Sequence, residues 1–206
     1  MAVSFDLFGT LVEVTRPSDP AAAVADELRE RGVAVPPDFG DAYREMHVDA
    51  PDGAEVPLPA HVSAALASRG VDAPNNAARR AVVAAFDPEV DRRSGALDAV
   101  AAAREHGPVG VCSNCSVPEL ARRTLIRADL RDAFDCVVTS VACGWRKPDA
   151  RAFETVARRL GVPVAGLVHV GDDPATDGGI VDTGGRFVDI DDTPLSALGT
   201  ALEEPP

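Results

Sequence analysis

Pro108-Val109-Gly110-Val111-Cys112-Ser113 and Gly166-Leu167-Val168-His169-Val170-Gly171-Asp172 are short apolar runs that each end in a polar residue, with helical segments between them. Runs of this length bounded by turn residues read as buried strands. Working outward, the same rhythm fills the second half of the chain. The patterns predict strands over 108–112, 136–139, 166–170 and 186–190, and helices over 96–105, 117–126, 149–160 and 176–183. Short hydrophobic strands alternating with helices imply right-handed crossovers and a parallel sheet. The predicted fold class is α/β, a doubly wound parallel sheet.

Upstream, Ala2-Val3-Ser4-Phe5 is one more strand, ending at Asp6 and broken by Gly9-Thr10. From 14 to 91 the pattern turns Ala-rich and helical. A helix is expected from the Asp19-Pro20 cap through 31, and others over 38–47, 59–68 and 76–86, with a turn at Pro51-Asp52-Gly53. A crossover needs roughly 30 residues, yet more than a hundred separate Asp6 from Ser113. The surplus is expected to be a helical cap inserted after the first strand, 14–93, with 1–13 and 94–206 forming the core. The tail Glu203-Glu204-Pro205-Pro206 is expected to fray.

Composition narrows the partners. The chain has 206 residues, 46% of them hydrophobic, enough for a sizeable core. Its net charge of −13 weighs against nucleic acid and anionic membranes, both of which reward basic patches. No apolar run approaches bilayer-spanning length and no secretory signal opens the chain, so a cytoplasmic protein is expected. Abundant Asp and Glu, one lysine and 4% aromatics resemble the acidic composition of proteins from salt-accumulating cells. Cys112-x-x-Cys115 has a spacing used for redox or zinc chemistry. However, Cys112 closes one apolar strand and Cys136 opens another, the placement of small buried hydrophobes.

The single lysine, Lys147, lies in Gly144-Trp145-Arg146-Lys147-Pro148-Asp149, while the other 19 of the 20 basic positions are arginine. A planar guanidinium fork cannot replace a compact ammonium on a thin stem, which marks Lys147 as a site candidate. Ligands of open parallel sheets bind beyond the carboxyl ends of the strands. Asp6, Ser113 and Asp172 each occupy such an end, and Lys147 follows another. Carboxylates gathered there repel one another and any anionic substrate unless a cation joins them, and one lysine supplies one charge. A divalent metal is implied, and oxygen ligands favour Mg²⁺.

These residues resemble the haloacid dehalogenase-like (HAD) hydrolase superfamily, in four motifs in order. Ser4-Phe5-Asp6-Leu7-Phe8-Gly9-Thr10-Leu11 is similar to the first, and Val111-Cys112-Ser113-Asn114 to the second. The Lys147 segment is similar to the third, and Val170-Gly171-Asp172-Asp173-Pro174-Ala175-Thr176-Asp177 to the fourth. The resemblance implies a Rossmann-like core with a cap and a phosphatase acting on a small phosphorylated metabolite. Asp6 would be the nucleophile, forming an aspartyl phosphate. Mg²⁺ would be held by Asp6, the backbone carbonyl of Phe8 and Asp172. Ser113 and the amide of Asn114 would donate to phosphoryl oxygens, and Lys147 would offset their charge. Asp177 would orient the lysine or the metal's waters, with Asp173 as its substitute.

One position departs from the pattern. Phosphatases of the family place a second aspartate two residues after the nucleophile, where this chain has Phe8. A benzene ring neither protonates a leaving group nor activates water, help typically worth about 10²–10⁴-fold. Metal-independent 2-haloacid dehalogenases have an aromatic residue there, which makes them the alternative, but their fourth motif normally lacks the acid retained here as Asp172. Phosphonoacetaldehyde hydrolases need a cap lysine, and none exists between 13 and 93. The ion-pumping ATPases need membrane spans. A catalytically weak member that binds a phosphorylated ligand or partner is the reading from another class. His169 is expected to be a core histidine and Trp145 to pack beside the lysine loop. Arg16, Arg44, Glu45 and His47 are the candidates for selecting substrate from the insert.

Overall fold

The computed structural model describes residues 1–203. β1 (Ala2–Phe5) is buried at every position and leads through a tight turn to β2 (Val12–Val14). Four helices follow, α1 (Pro20–Glu30), α2 (Phe39–Arg44), α3 (Leu58–Ala67) and α4 (Ala77–Ala85), and the chain returns through β3 (Val90–Arg92). Then come α5 (Ala96–His106), β4 (Val109–Ser113), α6 (Leu120–Arg127), β5 (Cys136–Thr139), α7 (Ser140–Cys143) and α8 (Ala150–Arg159). β6 (Leu167–Gly171), a 3-10 segment (Asp177–Thr183), β7 (Arg186–Asp189) and α9 (Leu198–Glu203) complete it.

The sheet has five parallel strands in the order β5-β4-β1-β6-β7. From β1 the chain winds outward through β4 and β5, then crosses to β6 and β7 on the other side. The loops leaving β1, β4 and β6 therefore splay apart and open a crevice at their carboxyl ends. Side chains alternate between the two faces, as the pleat requires. Val3, Phe5, Val109 and Val111 pack with Ala99, Val100, Leu125 and Leu198, while Ala2, Cys112, Val138 and Leu167 pack with Phe153, Val156 and Ile180. The fold is the doubly wound α/β class with helices on both faces.

α1 begins where the sequence caps it, with the Asp19 carboxylate accepting from Ala22 N at 3.0 Å and Pro20 in the first turn. The four inserted helices share their own apolar cluster, including Val24, Leu28, Phe39, Val62, Leu66 and Val82, with Cys115 and Val117 from the core closing one side. Phe8 packs against this cluster and against the main core as well.

Several local expectations are corrected. The insert is entered and left through an antiparallel pair, with Val12 opposite Arg92 and Val14 opposite Val90. Strands of three residues carry too short an alternation to announce themselves. The helix expected over 38–47 stops at Arg44, where Glu45 turns to an extended backbone with φ −76° and ψ 148°. The helix expected over 176–183 is 3-10 rather than α. Gly178 and Gly179 give it little helical preference, and a Cβ at Gly179 would lie 2.4 Å from Cβ of Pro148. Glu203 ends α9, and the rest of the tail expected to fray, 204–206, lies outside the described residues.

Candidate active site

Asp6 stands immediately past β1, where its backbone N–H donates to Val170 O at 2.8 Å and keeps it in register with β6. Asp172 stands immediately past β6 and reaches back toward the turn after Asp6. Its Oδ1 accepts from Thr10 Oγ1 at 2.6 Å. Gly9, at φ +93°, permits this approach, since a Cβ there would lie 2.3 Å from Asp172 Oδ2. Gly171 does the same for Asp177, whose Oδ2 would sit 2.2 Å from an added Cβ. The resulting cluster holds Asp6, Asp172 and Asp177, with one carboxylate oxygen from each within 4.8 Å of the others.

Lys147 is driven into this cluster, with 3% of its surface exposed. Its Nζ donates to Asp6 Oδ1 at 2.7 Å and to Asp177 Oδ1 at 2.5 Å. Burial alone would push the lysine toward its neutral form, but Asp6 and Asp177 outweigh it and hold its pKa above the ordinary value. Asp177 shows the converse. Burial works against its charge, yet the hydrogen bond from His169 and the charge of Lys147 keep it well below the usual carboxylate range. Asp172 forms no ion pair with any described residue. Burial, then the charges of Asp6 and Asp177, raise its pKa despite the Thr10 hydrogen bond.

His169 is fully buried in β6, as a core histidine would be, but it also belongs to the site. Its Nε2 lies 2.9 Å from Asp177 Oδ1 and its Nδ1 lies 2.8 Å from Ser4 Oγ. Burial and the nearby Lys147 lower its pKa, against the opposing pull of Asp177. A neutral ring with its proton on Nε2, donating to Asp177 and accepting from Ser4, satisfies the network. A histidine inside an apolar strand gave no signal of this second role.

Ser113 ends β4 with 3% of its surface exposed, beside the same crevice. The Asn114 side chain turns away from it and brackets Lys147. Its Nδ2 donates to Lys147 O at 2.9 Å and its Oδ1 accepts from Lys147 N at 2.8 Å. Asp173 is drawn outward, its carboxylate accepting from Ala175 N at 3.0 Å and Thr176 Oγ1 at 3.0 Å, while its backbone N–H donates to Asp177 Oδ2 at 3.2 Å. It caps the turn and lies outside the carboxylate cluster. Trp145 packs beside the lysine loop under the guanidinium of Arg151.

Of the insert's candidates, only Arg16 lines the cavity beside the site. Arg44 pairs with Asp41, and Glu45 with Arg69. His47 bonds the Ala42 carbonyl at 2.7 Å. Unforeseen in the sequence is Glu55, whose side chain is 2% exposed. It accepts from Ser140 Oγ and, at 3.2 Å, from Arg146. Its backbone N–H donates to Gly144 O and Arg146 N donates to Gly53 O, both at 2.9 Å, so a strip of the insert lies along the lysine loop. The cysteines take no part. Cys112 and Cys115 are buried, and burial pushes the Cys112 thiol up to about 12.

The sequence description of haloacid dehalogenase-like hydrolases matches residues 1–178. The chain belongs to this hydrolase family. Within the HAD hydrolases it is 35% identical over 118 residues to "Phosphatase MT3486" of Mycobacterium tuberculosis (strain CDC 1551 / Oshkosh), covering 52% of this chain. The match spans about half of that relative, 54% of its length. Among solved HAD structures, the 2-haloacid dehalogenase of Pseudomonas syringae pv. Tomato DC3000 superposes with a TM-score of 0.72 at 21% identity, over 98% of this chain and 96% of that one. CbbY from Rhodobacter sphaeroides in complex with phosphate gives 0.57 at 19% identity, over 90% and 84%. At these identities the two structures speak for the fold alone. No helix among the described residues is long and apolar enough to cross a membrane.

Proposed function

We propose that this HAD hydrolase is a cytoplasmic, Mg²⁺-dependent phosphatase that releases phosphate from a small phosphorylated metabolite through an aspartyl phosphate on Asp6. The observation that carries the reading is the charge imbalance at the crevice. Three carboxylates, Asp6, Asp172 and Asp177, converge within 4.8 Å, and Lys147 is the one ammonium bonded to them. That arrangement repels a phosphate monoester until a further cation enters. The donor set fits Mg²⁺, being hard oxygen throughout, and Asp172, held by the Thr10 hydroxyl, forms no ion pair with any described residue. Asp6, Asp172 and the Phe8 carbonyl would hold the ion, with Asp177 on its outer side. When bound, Mg²⁺ would neutralise charge on the nucleophile and the phosphoryl oxygens.

The chain's own residues supply the rest. An Asp6 oxygen attacks phosphorus in line, the bond from phosphorus to the leaving oxygen breaks, and water later cleaves the aspartyl phosphate. Lys147 holds Asp6 by one oxygen and lowers the repulsion between nucleophile and substrate. The Ser113 hydroxyl and the Asn114 backbone N–H would donate to the phosphoryl oxygens. Asp177, fixed by Lys147 and His169, orients the lysine. Phe8 offers no proton, so the leaving group departs as an anion or takes its proton from water.

The test is phosphate release from an activated aryl phosphate, with dependence on Mg²⁺ and loss in Asp6→Asn. The dehalogenase reading is favoured by one residue, Phe8. Chloride release from 2-chloropropionate that survives a chelator would replace the phosphatase with it.

A further inference from the structure

The proposed reaction names the group transferred, and the cavity beside the carboxylates bears on what leaves. This cavity, about 230 Å³, lies between the sheet's carboxyl edge and the insert, with Phe8, Val14, Phe86 and Leu120 among its walls. Among the described residues, Arg16 and Arg146 are the only charged ones lining it. In a chain with 33 Asp and Glu against 20 Lys and Arg, a pocket holding two cations and no carboxylate has the opposite sign to the protein around it. Arg146 is partly neutralised by the buried Glu55 at 3.2 Å. Arg16 is exposed and makes no ion pair or side-chain hydrogen bond with any described residue.

The transferred phosphoryl group is already matched to Lys147 and the carboxylate-bound ion of the reading above, so Arg16 is left for a different anion. One unneutralised guanidinium balances a single charge, and Phe8, Val14, Phe86 and Leu120 give the cavity carbon walls beside its polar ones. Resting on the phosphatase reading, we infer that the substrate's leaving group is a compact apolar skeleton bearing a carboxylate, with Arg16 pairing to that carboxylate and Phe8 and Phe86 covering the skeleton. Phe8 is then a wall of the leaving-group site, which an aspartate would make hydrophilic.

The experiment compares 4-carboxyphenyl phosphate with 4-carbamoylphenyl phosphate, two esters of nearly equal shape, in Mg²⁺ at low ionic strength. The carbamoyl phenol is the more acidic leaving group, so chemistry alone favours the uncharged ester. The wild type is expected to prefer the carboxylate by about tenfold or more in kcat/KM, as a charge-assisted hydrogen bond would give. Arg16→Gln is expected to bring the ratio close to one, Arg16→Lys to keep part of it, and molar salt to shrink it in the wild type. Equal rates on the two esters, or a preference that survives Arg16→Gln, overturn the inference while leaving the phosphatase reading intact. Failure of both esters to release phosphate instead counts against the phosphatase. In that case calorimetric binding of the same pair to Asp6→Asn decides the pocket, and equal affinities overturn the assignment of Arg16.

Discussion

Asn114 grips the backbone of Lys147 from both sides, donating to its carbonyl at 2.9 Å and accepting from its amide at 2.8 Å. The end of β4 thereby fixes the loop that carries the only ammonium in the crevice. Asn114→Ala removes both bonds and leaves the Lys147 N–H and carbonyl to find other partners. The expected cost is about 1–3 kcal/mol of stability and a fall in kcat of roughly 10²-fold, the usual penalty for a misplaced group. Asn114→Asp, which keeps the acceptor, is expected to lie between. Thermal melts and aryl phosphate turnover check both.

The carboxylate cluster predicts a stabilising response to Mg²⁺. At an ion concentration about 100 times its Kd, binding to the folded state alone adds about 2.7 kcal/mol. For a domain of this size that raises Tm by roughly 5–10 °C. Asp172→Ala is expected to abolish the shift. Gly9→Ala is expected to weaken it as well, because the new Cβ would fall 2.3 Å from Asp172 Oδ2 at φ +93° and displace that carboxylate. A calorimetric scan showing the full shift in Asp172→Ala would place the ion elsewhere.

The buried triad of Lys147, Asp177 and His169 sets the pH range of the metal-free fold. His169 has a folded pKa below its ordinary 6.5, so the unfolded chain takes up a proton that the folded chain refuses. Stability is therefore expected to fall as pH drops below about 6.5. Asp177 is depressed below 3.8, so its contribution is complete above that value and is lost as acid reaches its lower folded pKa. Lys147 is raised above 10.5, so its contribution is complete below that pH and is lost only as pH climbs through the higher folded value. Denaturant melts with chelator should show a plateau between about 6.5 and 10.5 as far as these groups set it. His169→Asn, which cannot titrate, should flatten the slope below about 6.5.

Much of this was legible because the strand ends announce themselves. Each apolar run stops at a polar residue, and a parallel sheet places those stops on one edge, so Asp6, Ser113 and Asp172 could be gathered without coordinates. Lys147 stood out by being the only lysine. What stayed hidden depends on tertiary approach. Nothing in an apolar strand distinguishes His169 from any core histidine until Asp177 is folded against it. Nothing in Ala54-Glu55-Val56 says that this carboxylate will be buried on Ser140 and Arg146. The β2–β3 pair escaped because its partners lie far apart in sequence and each strand has only three residues. The Asn114 side chain was equally unreadable, since its bonds run to a backbone segment 33 residues away.

Phe8 carries the last prediction, and here the structure alters what the sequence suggests. Restoring the acid with Phe8→Asp should help substrates whose leaving group needs a proton, raising alkyl phosphate turnover by up to about 10²–10⁴-fold and aryl phosphate turnover much less. Yet the ring packs against both the sheet's core and the insert's cluster, so its loss opens the seam between them. Removing a buried aromatic costs about 3–5 kcal/mol, and a partly buried one less. The expected variant is thus less stable, with a higher ratio of alkyl to aryl turnover per folded molecule. Rates normalised to the folded fraction separate the two effects. If both substrates gain equally, proton donation is not what Phe8 withholds. If neither gains in protein that is still folded, the carboxylate has not reached the leaving oxygen.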